Sequence, residues 1–164
     1  MNILELSLIS SALLCSLVAG FTLMFAIVVM PGISKFEDEE FLKAFQLIDG
    51  IIQNNQPLFF LVWLGSIISV VVTLLSSIIT LGFQDSVMII GVCFIYLFGV
   101  QGVTTRIHLP LNRRIKNLDI NNLDKESLTE ERAKFENRWN YFNKIRTGIA
   151  LAASLMLLVL IYML

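Results

Sequence analysis

The side chains able to do chemistry in this chain sit where long apolar stretches end. Trp139, Asn143 and Arg146 are spaced so that one helix face carries all three. A guanidinium at the edge of hydrocarbon is costly unless it snorkels to water or finds a partner. Arg146 therefore either reaches lipid phosphate or turns inward to hold an anionic or carbonyl-bearing ligand. His108 is the only histidine. One imidazole without Cys or carboxylate at ligand spacing makes a poor metal site. Its ordinary pKa near neutrality suits a general base, with a plain interfacial polar residue as the competing reading. Asp49 is a candidate carboxylate partner for Arg146 or Arg106, or simply a helix-end residue before Gly50. Gln46, Asn54, Asn55, Gln101, Thr104, Thr105 and Asn112 complete the polar set. Phosphate loops, nucleophile elbows, HExxH and paired-carboxylate motifs are absent from the sequence.

The elements that must position these residues are set by the distribution of charge. Four stretches, residues 6–30, 58–83, 87–105 and 147–164, carry no charged side chain. A helix needs about 20 apolar residues to cross ~30 Å of hydrocarbon, and each stretch meets or approaches that length. All 12 Lys and Arg fall in two intervening segments, 31–57 and 106–146. Under the positive-inside rule both segments are cytoplasmic. The expectation is an all-α, polytopic membrane protein: one domain over residues 1–164, a four-helix transmembrane bundle with amphipathic cytoplasmic helices. Both termini lie outside the cell (plasma or inner) membrane. The first stretch lacks a basic segment before it and is longer than a signal-peptide core, so it reads as a retained span.

Hydrophobic residues make up 56% of the chain and the net charge is −1, which leaves no basic surface for nucleic acid. Cys15 and Cys93 lie inside spans and form no CxxC pair, against a membrane disulfide-forming enzyme. Small residues that let membrane helices approach recur at every fourth position in three stretches (Ala12, Ser16, Gly20; Gly65, Ser69, Thr73, Ser77; Gly148, Ala152), and Gly91 and Gly99 lie on similar faces of the other. Residues 82–86 join spans two and three as a hairpin. The acidic run 37–40 opens a helix with Phe41, Phe45, Ile48 and Ile52 on one face, lying along the interface or over the bundle mouth. Pro110 suits the first turn of a further helix, which Asn121-Asn122 breaks. Ser127 with Glu130 reads as a capping box for a last helix of over 30 residues that runs into the membrane, with Glu130 and Lys134 as an i, i+4 pair.

Three signatures carry a resemblance. Val28-Val29-Met30-Pro31-Gly32 ends span one, Thr104-Thr105 precedes Leu109-Pro110-Leu111-Asn112, and Trp139 through Thr147 enters span four. In order and position they resemble the signatures of the anthrone oxygenase-like family. Fungal members of that family oxidise anthrones to anthraquinones with O2, without a recognised metal or flavin. The resemblance therefore implies no cofactor. It implies Arg146, Asn143 and Asn112 as oxyanion holders and Trp139 as a ring wall; Gln46, Asp49 and Thr105 are further candidate substrate contacts. Lys144 stands where the family commonly has His, and His108 where it commonly has Asn; His108 is the candidate replacement base. The competing class is a non-catalytic membrane protein that binds lipid or a partner subunit, in which case a homo-oligomer is an open alternative. A transporter is disfavoured, since no span is interrupted by charge.

The topology makes one prediction. A reporter fused after Leu164 should be active on the outer side of the membrane, and cytoplasmic activity there would overturn the orientation.

Overall fold

The computed structural model describes residues 2–54 and 56–163, and all of its regular structure is helical. Asn55 and Leu164, which figure in the sequence expectations, lie outside the described residues. Four helices are long and apolar enough to cross a membrane: α1 (Ile3–Ile33), α3 (Pro57–Leu81), α4 (Val87–Lys116) and α5 (Lys125–Met163). The shorter α2 (Asp38–Gln53) links α1 to α3. α1 packs mainly on α3 and α5, and α4 closes the bundle against both of those. Asn2 opens α1 through a capping box with Glu5. Gly82, at φ +81°, stops α3 and turns the chain into α4, a backbone conformation that a side chain would strain.

Polar contacts fix the rotation of the spans. Ser7 and Ser76 hydroxyls meet at 3.2 Å, and Ser11 and Thr73 at 2.9 Å, zipping α1 to α3. Deeper in, Tyr96 donates to Ser66 at 2.8 Å and Gln101 donates to Tyr96 at 2.9 Å. The small-residue stripes are only partly used. Ser69, Thr73 and Ser77 are buried as expected, but Ser16, Gly20, Gly148 and Ala152 face outward. Ser16 has no need of a neighbouring helix, because its hydroxyl donates to the Ala12 carbonyl at 2.7 Å. In α5, Arg146 must face inward, and Gly148 lies about 200° away at about 100° per residue.

Three further expectations change. α4 does not stop at Thr105 and restart at Pro110 but runs on to Lys116. It does so by widening: Leu97–Gly102 and Thr104–His108 are π-helical. α1 widens in the same way over Phe25–Val29, again two residues before a proline, Pro31. Proline removes an N–H and clashes with the carbonyl one turn back, and a wide turn ahead of it relieves both. α4 then ends at Asn117, before Asn121-Asn122, because Gln46 Nε2 donates to the freed carbonyls of Ile115, Lys116 and Leu118. Finally, α5 is capped by Asp124, which accepts from the Ser127 N–H at 2.9 Å, rather than by a Ser127–Glu130 box. Glu130 instead pairs with Lys134 at 2.5 Å, the expected i, i+4 contact.

α2 folds over the bundle mouth. Phe41, Leu42 and Phe45 are fully buried there with Ile115, Phe135 and Trp139. Phe45 stacks edge-on against Phe135 at 4.4 Å and Trp139 at 5.7 Å. Arg132 ties the base of α2 to α5 through Asp38 and the backbone carbonyls of Ser34 and Phe36. The other face of α2 exposes Leu47 and Ile51, as suits a helix lying at a membrane surface.

Gly99 brings α4 close against Ile149 of α5. A Cβ on Gly99 would come within 2.9 Å of the branched Cγ2 of Ile149, which has no free torsion to yield. Gly99→Ala should therefore destabilise the bundle by about 1–3 kcal/mol, the usual overpacking range. Adding Ile149→Ala should recover much of that loss in thermal melts of the detergent-solubilised protein. Strictly additive losses would contradict the contact.

Candidate functional site

α5 delivers the site's one buried cation. Trp139, Asn143, Arg146 and Thr147 are all buried, Arg146 at 8% exposure, so the guanidinium turns inward instead of reaching lipid. Its Nε donates to Asn143 Oδ1 at 2.9 Å and its Nη1 to Thr104 Oγ1 at 3.1 Å. Asn143 is itself fixed from behind, its Nδ2 donating to the Thr22 carbonyl at 3.1 Å. The indole of Trp139 lies 5.6 Å from the guanidinium carbon. No carboxylate forms an ion pair with Arg146 among the described residues.

Opposite stands a carboxylate held in the same neutral manner. Asp49, buried on α2, accepts from Asn112 Nδ2 at 2.7 Å and from the side-chain amide of Gln53. Asn112 in turn accepts from Trp139 Nε1 at 2.9 Å, which fixes its amide orientation. Burial raises the Asp49 pKa above the ordinary carboxylate value of 3.8; its two amide donors and the more distant Lys116 and Arg146 charges oppose that rise.

Between them lies a cavity of ≈ 460 Å³. Arg146, Asp49, His108, Asn112, Thr104 and Trp139 supply its polar wall. Phe21 and Phe25 of α1, Phe59, Phe60 and Trp63 of α3, and Ile52 of α2 supply the apolar one. This is the size and mixture typical of a small-molecule site. His108 is 1% exposed and stands edge-on to Trp139 at 5.0 Å. Neither of its ring nitrogens closes a hydrogen bond among the described residues; the Phe142 carbonyl approaches the ring without meeting that geometry. A buried imidazole without a partner is costly, and the cavity beside it is where a partner would sit.

Of the residues singled out in the sequence, the fold brings Arg146, His108, Asn112, Trp139 and Asp49 to one cavity, with Asn143 behind Arg146. Gln46 and Thr105 do not join them. Gln46 caps α4, and the exposed Thr105 hydroxyl bonds its own helix at the Gln101 and Gly102 carbonyls. Thr104 takes the place assigned to Thr105. The aromatic wall was not foreseen, although Phe21 and Phe25 are spaced i, i+4, as are Phe59 and Trp63. Among the described residues no group of three His, Cys, Asp or Glu is placed to hold a metal.

The raised pKa of Asp49 fixes the sign of a stability effect. Its protonated form favours the folded state, so the stability it contributes is lost as pH rises from 3.8 through the raised value. The melting temperature of wild type relative to Asp49→Asn should therefore fall across that acidic interval. A difference independent of pH would show that Asp49 is not held in this desolvated setting.

The sequence model of a family described as anthrone oxygenase matches residues 57–156. That stretch contains Trp63, Thr104, His108, Asn112, Trp139, Asn143 and Arg146, but not Asp49 or the α1 aromatics. No curated protein and no solved structure matches the chain. The match covers most of the chain and all of its α4 and α5 site residues: the protein belongs to the anthrone oxygenase family.

Proposed function

We propose that the cavity deprotonates a small planar hydrophobic ketone of the anthrone type and holds the resulting enolate for direct reaction with O2. The observation that carries this reading is the Arg146 guanidinium, buried in the wall of an aromatic-lined cavity with only neutral hydrogen-bond partners. A preorganised cation in a water-poor site is worth most to a group whose negative charge develops during reaction. An enolisable carbonyl is such a group.

In this reaction His108 takes a proton from the ring methylene. The charge passes to the carbonyl oxygen, which Arg146 holds. The carbanionic carbon gives its electron pair to O2, forming a C–O bond, and the proton on His108 passes to the distal oxygen. Loss of the second methylene proton with cleavage of the O–O bond leaves a new carbonyl and releases water. O2 is the oxidant; one of its atoms stays in the quinone and the other leaves as water. Trp139 and the phenylalanines hold the ring plane, while Asn112 keeps Asp49 and Trp139 in register. A lipid-binding reading has one observation in its favour, the exposed Leu47, Ile51, Leu58 and Phe60 on the neighbouring faces of α2 and α3.

The test is oxygen uptake by purified protein with an anthrone, in the presence of chelator. Wild type should consume one O2 per quinone formed, and Arg146→Ala should lose about a hundredfold or more in kcat/KM, as for loss of an oxyanion donor. His108→Ala should abolish turnover while leaving the protein folded. Full turnover in His108→Ala would remove the imidazole from the mechanism and leave Asp49 as the base. Absence of uptake in wild type would favour the lipid-binding reading.

A further inference from the structure

The cavity wall holds a second arginine that the reaction does not use. Arg113 lies at the exposed end of the cavity, five residues beyond the buried His108 on the same helix. Its neighbour Arg114 is fully engaged, donating through Nε at 2.8 Å and Nη2 at 2.6 Å to the two oxygens of Glu131. Arg132 and Lys134 likewise have acidic partners, Arg132 bonding Asp38 and Glu136 and Lys134 bonding Glu130. Arg113 makes no ion pair or hydrogen bond among the described residues.

The two arginines differ in depth, Arg146 buried and Arg113 exposed, so the cavity has a cation at its inner end and another at its mouth. Against these two positive charges stands one carboxylate, Asp49, and its burial favours the uncharged form. Aromatic side chains line the same cavity. A neutral ketone would use the inner cation and leave the outer one idle. Charge complementarity calls for a ligand with an apolar ring body and one acidic group at the end away from the reacting carbonyl. Guanidinium suits a carboxylate in particular, because its planar fork can donate two parallel hydrogen bonds.

We propose that the cavity selects lipophilic aromatic acids, with the carboxylate docked on Arg113 at the mouth and the ring system inserted toward Arg146. The inference rests on the reading of the cavity as a ring-binding site, and names the class of ring that it takes.

Binding can be read without turnover, because the chain's only two tryptophans, Trp63 and Trp139, both line the cavity. An anthraquinone carboxylic acid and its methyl ester form a matched pair of quenching probes, titrated into protein in phosphatidylcholine nanodiscs. Wild type should bind the acid about tenfold more tightly than the ester, the scale of one charge-assisted hydrogen-bonded contact. In Arg113→Gln that ratio should fall to near one, and in Arg113→Lys it should recover in part. Equal binding of acid and ester by wild type would remove the acid site and leave the ring cavity standing. Quenching by neither probe would remove the ring cavity along with it. A repeat in discs containing phosphatidylglycerol separates the remaining source of an anion. A preference that persists there supports the free acid, whereas one that vanishes makes Arg113 a lipid-phosphate anchor and overturns the proposal.

Discussion

Everything at the α2 end of this bundle is arranged around one buried guanidinium without a counter-ion. An unpaired charge costs several kcal/mol to bury, so Arg146 must be surrounded by oriented dipoles to remain there. Asn143 and Thr104 supply them, and the Thr22 carbonyl holds Asn143 in turn. This chain of contacts ties α5 to α4 and α1 at one level. It sets the rotation of α5, which is why Thr147, Ala150 and Ser154 face the core while Gly148 and Ala152 face out. Packing of small residues follows from that rotation and does not determine it.

The wide turns of α1 and α4 belong to the same arrangement. An ordinary α-helix approaching Pro31 or Pro110 would meet a steric clash and lose a hydrogen bond, and in a membrane a lost bond has no water to replace it. Each helix meets this with a π-helical stretch that ends two residues ahead of the proline. In α4 the stretch Thr104–His108 spaces the Thr104 hydroxyl and the His108 imidazole so that both reach the cavity wall. The π turn keeps the helix continuous and places the chemistry at the same point.

How much of this was legible in the sequence follows from what each signal depends on. The spans, the α2 stripe and the Trp139–Asn143–Arg146 face are properties of helical period and charge, and the fold keeps them. The choice between Thr104 and Thr105 was not legible, because the π-helical stretch that sets which hydroxyl meets Arg146 has no signature in the sequence. Gln46 reads from sequence as a polar residue near a site, but its amide is spent on three carbonyls that appear only once α4 ends beside α2. The stripes of Ser16–Gly20 and Gly148–Ala152 have the right spacing and the wrong azimuth. Spacing constrains which residues share a face; only the hydrogen bonds of Ser7, Ser11 and Arg146 decide which face turns inward.

Asp49 shows why the interfacial helix matters to a site inside the bundle. A carboxylate free to move in an apolar cavity would close on Arg146, since Coulomb attraction grows as the dielectric falls. Asn112 and Gln53 hold it back, and Asn112 is itself locked by Trp139. The separation thus depends on α2 staying docked, which in turn rests on Phe41, Leu42 and Phe45 packed against α4 and α5. Undocking α2 would remove the floor of the cavity and its only carboxylate together, leaving Arg146 facing solvent with its electrostatic advantage gone. The aromatic cluster that docks α2 is therefore what keeps the buried charge of α5 unpaired.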